Sequence, residues 1–144
     1  MKTNTRDGVL MSPWQKDIPD FKEKKSKVDS AVIYDCLIVG AGITGMTAAL
    51  RLQNCGKRVL VADAHNVGFG TTGGTSAHIN TFADTTYKEA ESAFGAIGAQ
   101  LFADAIKEGF GLIITNIKEY NINCDYATKP GFLYAETDDE VKLL

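Results

Sequence analysis

The sequence predicts an α/β fold, and three observations carry that prediction. Val32-Ile33-Tyr34-Asp35-Cys36-Leu37-Ile38-Val39 is a nearly continuous apolar run that stops at Gly40. From Ile43 to about Asn54, Met46, Ala49, Leu50 and Gln53 recur at helical offsets. A second short apolar run, Lys57 to Ala62, then ends at Asp63.

The first run is rich in β-branched and aromatic residues, as expected of a strand buried on both faces. In the helical segment, small Ala48 and Ala49 permit close approach to a sheet, and Gly56 supplies the stop. Strand, helix and strand within about 30 residues imply a parallel crossover. The chain has 144 residues, 44% hydrophobic and 23% charged, which suits one ordinary globular domain.

A formal net charge of -3 gives no basic field for a nucleic-acid backbone or an anionic membrane. No run approaches the roughly 18 apolar residues of a membrane helix, and the amino terminus is polar, so a cytoplasmic protein is expected. Cys36, Cys55 and Cys124 are widely spaced and odd in number, the pattern of free thiols. His65 and His78 lack a second ligand at helical spacing, and no metal is assigned.

Residues 1–31 read as a polar extension outside the core. Lys22, Lys24, Lys25 and Lys27, interrupted by Glu23, form a solvated run, with Trp14 and Phe21 as the extension's apolar contacts to a surface elsewhere. Residues 64 to 86 are rich in Gly, Thr, Ser and Asn, and a connection of that length is expected to be functional. Tyr87 to Tyr120 reads as two helices broken near Gly95 to Gly98, with Leu101, Ala105, Ile106, Leu112, Ile113 and Ile117 facing inward. Around Lys129-Pro130-Gly131 a β-hairpin is expected over about 122–136. Thr137-Asp138-Asp139-Glu140 has capping-box spacing, so a helix begins near 138, and its abrupt end at Leu144 suggests that the natural domain continues.

Gly40-Ala41-Gly42-Ile43-Thr44-Gly45 joins the first strand to its helix. A pyrophosphate must meet backbone amides at hydrogen-bond distance, and glycine removes the side chains that would obstruct it. Gly40 makes the exit from the strand, Gly42 admits the phosphates, and Gly45 lets helix and sheet pack closely. The helix terminus adds unpaired amides and the positive end of its dipole. Asp63, with Ala64 beside it, stands where an acid accepts from ribose hydroxyls. Together these define a Rossmann-like dinucleotide site, with an incidental turn and a strand-end cap as the plain alternative.

These features leave FAD and a nicotinamide cofactor both open. The loop Gly68-Phe69-Gly70-Thr71-Thr72-Gly73-Gly74-Thr75-Ser76 favours FAD, since small and hydroxyl-bearing residues let main chain approach a pyrophosphate or flavin edge, with a flexible surface loop as the plain alternative. Asp35 to Ala49 and Gly70 to Ser76 resemble the amino-terminal strand, glycine turn and second flavin-contacting loop of the D-amino-acid oxidase and glycine oxidase superfamily. The similarity covers residues 32–144, read as the amino-terminal part of an FAD-binding domain, with the hairpin belonging to a substrate domain. Ser12-Pro13-Trp14, Gly70-Thr71-Thr72-Gly73 and Ile122-Asn123-Cys124-Asp125-Tyr126 further resemble the branch often fused to a Rieske iron-sulfur domain. No Cys-x-His and Cys-x-x-His pair is present to hold such a cluster.

The resemblance implies an FAD-dependent oxidoreductase that takes a hydride from an amine or amino acid. It also implies cofactor contacts from Gly40, Ala41, Gly42, Ile43, Thr44, Gly45, Asp63, Ala64, Gly70, Thr71, Thr72, Thr75 and Ser76. Asp63 stands where relatives more often have glutamate, and Gly74 where many have histidine, so non-covalent FAD is expected. Catalytic residues stay unassigned. A non-catalytic dinucleotide-binding module and a fragment of an NAD-dependent dehydrogenase are the alternatives.

Overall fold

The computed structural model describes residues 12–16, 28, 31–83, 85–132 and 134–142. The lysine run 22–27, Phe21 and Leu144 lie outside the described residues. The elements in order are α1 (Pro13–Lys16), β1 (Cys36–Val39), α2 (Ile43–Asn54), β2 (Val59–Ala62), a 3-10 turn (Thr71–Gly74), α3 (Tyr87–Glu119) and α4 (Asp138–Val141). The chain divides into two compact units, Met1–His78 and Ile79–Leu144.

In the first unit β1 and β2 pair in parallel, with Cys36 opposite Val59 and Val39 opposite Ala62. The ladder runs on at both ends, where Asp35 N donates to Arg58 O at 2.9 Å and Gly40 N to Ala62 O at 2.8 Å. Asp35 adds a side-chain clamp, accepting from Arg58 N at 2.7 Å. The α/β class and the strand–helix–strand order therefore stand as the sequence predicts.

The burial differs from the expectation of a two-faced buried strand. Side chains alternate along β1, so Cys36 and Ile38 are half-buried while Leu37 and Val39 are 63% and 83% exposed. Alternation is the mark of a sheet covered on one face. Helix α2 supplies that cover and buries Ala49.

Helix α2 ends as its sequence dictates. Gly56 takes φ +76, its N–H donates to Gln53 O at 2.9 Å, and Lys57 N donates to Leu52 O at 3.0 Å. These paired bonds close a Schellman motif, whose left-handed position glycine fills without strain.

In the second unit α3 is two rods, because Gly95 adopts φ 72, ψ 170 in the middle of it. The break predicted near Gly95 to Gly98 is at Gly95, and Phe102 comes edge-on to Tyr87 with ring centroids 6.4 Å apart. Beyond the break the more buried stripe runs through Phe102, Ile106, Phe110, Ile113 and Ile117. Leu101, expected inward, is 64% exposed, and Ala105 is exposed too. They sit about 140° and about 100° around the helix from that stripe's centre.

Both caps are built from hydroxyl and carboxylate. Thr86 accepts from Glu89 N at 3.1 Å while Glu89 accepts from Thr86 N at 2.8 Å. Thr137 and Glu140 repeat the arrangement at α4, as the spacing predicts. Replacing Thr86 by alanine is expected to destabilise the chain by about 1 kcal/mol in urea melts, with serine restoring most of it.

The expected hairpin is not formed: no strand occurs among the described residues of 122–136. Asp125 lies at φ 52, which turns the first run out of an extended course. Phe132 and Tyr134 are 84% and 77% exposed. An isolated two-stranded ribbon without a covering layer has little to hold it. No helix among the described residues is long and apolar enough to cross a membrane.

Candidate functional site

The glycine turn joins three elements of the first unit: the end of β1, the start of α2 and the end of β2. Gly40 has φ +104, a conformation that side-chain-bearing residues rarely adopt. A Cβ on Gly45 would run into Gly40 O and sit 3.3 Å from Ile38 Cγ2. Close helix–strand approach is therefore why position 45 is glycine. A Cβ on Gly42 would come within 3.1 Å of Thr72 Oγ1, filling the space beside the helix start.

No side chain of the Gly42 cap serves α2. Its first amides point out of the helix end with no carbonyl four residues back to meet them. Ile43 N instead donates to Thr72 Oγ1 at 3.0 Å. A hydroxyl oxygen thus occupies one place at this helix end where a phosphate oxygen fits by the same chemistry.

Asp63 ends β2 and reaches back to the turn. Its Oδ2 accepts from Ala41 N at 2.6 Å and its Oδ1 from His65 N at 2.7 Å. The hydrogen bond from Ala41, then that from His65, holds the carboxyl below its ordinary value of 3.8. The group is exposed, and each oxygen keeps a further lone pair for an outside donor such as a hydroxyl. Ala64 follows it, also exposed.

The loop after β2 docks on the turn rather than standing free. Gly68 N donates to Ala41 O at 2.9 Å, and with the Thr72 contact this pins the loop at two points. Gly73 is buried, and Thr71 to Gly74 wind into a 3-10 turn, where a loop alone was expected. His65 stacks on Phe69 with ring centroids 4.1 Å apart. Thr75 Oγ1 accepts from Ala77 N at 3.1 Å, and Ser76 is exposed. Of the sites read from the sequence, Ala41 is thus joined to Asp63 and Ile43 to Thr72 at one helix start, with Gly42 beside Thr72.

The sequence reading missed α1. Residues 12–16 lie against the loop through hydrogen bonds from Ser12, Trp14 and Gln15, so Trp14 does meet a surface elsewhere, as expected, but through its N–H. Side-chain amide, indole and hydroxyl donors grouped within four residues are the signal that was there to be read. Trp14 keeps its ring 53% exposed while its N–H is engaged, so polarity more than burial holds it.

The arrangement fits the adenosine diphosphate half of a dinucleotide: a glycine-opened helix start for the phosphates and a carboxylate beside it for ribose. Residues 35–144 match the family described as DAO, FAD dependent oxidoreductase. Gamma-glutamylputrescine oxidoreductase of Escherichia coli (strain K12) is 30% identical over 113 residues, 78% of this chain and 26% of that protein. The putative Rieske 2Fe-2S iron-sulfur protein YhfW of Bacillus subtilis (strain 168) is 30% identical over 126 residues, 88% of this chain and 24% of its own. The probable oxidoreductase OrdL of Haemophilus influenzae (strain ATCC 51907 / DSM 11121 / KW20 / Rd) is 33% identical over 93 residues, 64% of this chain and 21% of its own. The chain thus spans about a quarter or less of the length of these curated relatives. No solved structure matches it significantly.

Proposed function

Because the chain belongs to the FAD dependent oxidoreductase family, we propose that it is the FAD-holding amino-terminal part of an enzyme that oxidises an amine or amino acid. The observation that carries this reading is the convergence of the glycine turn, Asp63 and Thr72 on the start of α2. Gly42, Ile43, Thr44 and Gly45 would hold the pyrophosphate, Asp63 and Ala64 the ribose, and Gly70, Thr71, Thr72, Thr75 and Ser76 the part nearer the flavin. Gly40 and Ala41 shape the turn. Flavin, when bound, supplies the hydride-accepting chemistry.

The amine substrate class is supported by the relative named for gamma-glutamylputrescine. Non-covalent attachment is supported at position 74, where an exposed glycine offers no nucleophile. Residues 122–136 are proposed to belong to a substrate domain, and no catalytic residue is assigned.

The test is an absorption spectrum of the purified chain after FAD has been added and free flavin removed. Retained bands near roughly 375 and 450 nm, released by acid precipitation, are expected of a non-covalent flavin. Passage of all flavin through the column, with NAD retained instead, would replace FAD by a nicotinamide.

A further inference from the structure

The geometry points to Ser12, Trp14 and Gln15 as positioning residues that fasten the cofactor loop from behind, an inference that rests on the FAD reading of that loop. Ser12 and the helix α1 that follows it send three side-chain donors across more than 50 residues of sequence onto main-chain carbonyls of a single loop. Ser12 Oγ donates to Gly73 O. Trp14 Nε1 donates to Thr75 O at 2.8 Å, and Gln15 Nε2 donates to Phe69 O at 3.1 Å and, longer, to Gly68 O at 3.5 Å.

All of these acceptors are carbonyls, and that selectivity matters for an anion site. Carbonyl oxygens carry the negative end of the peptide dipole, so a loop that meets a pyrophosphate must turn them away from it. The peptide bonds of residues 68–76 are all trans. In a trans peptide the N–H points opposite to the C=O. Fixing Phe69 O and Thr75 O on the α1 side therefore directs the N–H groups of Gly70 and Ser76 to the other side. Both residues belong to the segment that the sequence marks as cofactor-contacting.

The packing leaves little slack. Gly73 is buried, and a Cβ there would collide with the Gln15 amide and meet Gly68 O at 2.5 Å. The fastening thus sits where the loop has no room for a side chain. The loop's other ties, Gly68 N donating to Ala41 O and Ile43 N donating to Thr72 Oγ1, fix its near side to the glycine turn. Helix α1 fixes its far side, and the two sets together determine which way the loop's peptide planes face.

The test compares the chain with a Ser12→Ala/Trp14→Phe/Gln15→Met variant, which removes the donors while keeping similar shape, and with Ser12→Thr, which keeps the hydroxyl. Amide hydrogen exchange over 68–76 is measured without FAD, followed by FAD titration and visible circular dichroism of the bound flavin. In the triple variant the loop amides are expected to exchange at least about tenfold faster, FAD to bind about tenfold more weakly, and the flavin dichroism to change. Ser12→Thr should match the parent chain. Unchanged loop exchange in the triple variant overturns the fastening, as does faster exchange accompanied by unchanged FAD affinity and dichroism. Failure of the parent chain itself to bind FAD overturns the cofactor reading instead, and leaves the exchange rates to decide whether α1 holds the loop.

Discussion

Replacing Gly45 by alanine is expected to abolish flavin retention and to destabilise the chain by about 1–3 kcal/mol, the usual cost of forcing a methyl group into packed structure. The new Cβ would collide with Gly40 O and sit 3.1 Å from Gly40 C and 3.3 Å from Ile38 Cγ2. Gly40 cannot step aside easily. Its N–H is bonded to Ala62 O, and its φ of +104 already lies in a region that few alternatives relieve. Helix α2 must therefore lift from β1, carrying the amides of Ile43 and Thr44 out of register with Thr72 and Asp63.

A second glycine separates this effect from the general consequence of adding a methyl group. At Gly111 a Cβ would meet open space within α3. Gly111→Ala is expected to stabilise by up to about 1 kcal/mol, because alanine favours the helix that glycine resists. Urea melts and FAD retention of both variants provide the measurement. Equal behaviour of the two would mean that close packing at position 45 is not what the turn requires.

Local pattern made the first half of the chain legible. Ile43 to Asn54, the Gly56 stop and the paired strands follow from apolar period and glycine placement, which act over a few residues and survive in any context. The same holds for Thr137 and Glu140, and Thr86 with Glu89 carries the same spacing. What the sequence left hidden depended on distant neighbours. Burial of Leu37 and Val39 is set by what covers their face of the sheet, and strand formation at 122–136 by whether an extended run finds a partner ladder. Helix α1 was hidden for a different reason. Its contacts are polar and reach carbonyls, and carbonyls are present at every residue and leave no mark in sequence. At the site, the sequence marked the turn, the acid and the loop as candidates, whereas the direct bonds from Ala41 to Asp63 and from Ile43 to Thr72 are visible only in the fold.

Those bonds make Asp63→Asn the other substitution with a large expected effect. Two backbone N–H groups, from Ala41 and His65, meet two different carboxylate oxygens. Asparagine has one acceptor oxygen and one donor NH2, so one of those N–H groups would face another donor. The proposed ribose contact loses its charge as well. Losing hydrogen bonds to a charged group predicts about ten- to a hundredfold weaker FAD binding, read by flavin fluorescence titration. The pH dependence supplies a separate check. Both backbone bonds favour the ionised carboxylate and hold Asp63 below 3.8 in the folded chain. A depressed acid stabilises the fold fully above its unfolded value, and that contribution fades as pH falls below 3.8 through the folded value. Solvent exposure of the carboxylate keeps this contribution small. Thermal melts of the parent chain should therefore decline more steeply than those of Asp63→Asn below about pH 4, while the gap between them stays constant near neutrality. Glu89, held below its ordinary value by Thr86 and Thr85, is common to both proteins and cancels from the difference. Parallel curves throughout would show that the carboxylate does not brace the glycine turn, whatever its part in binding ribose.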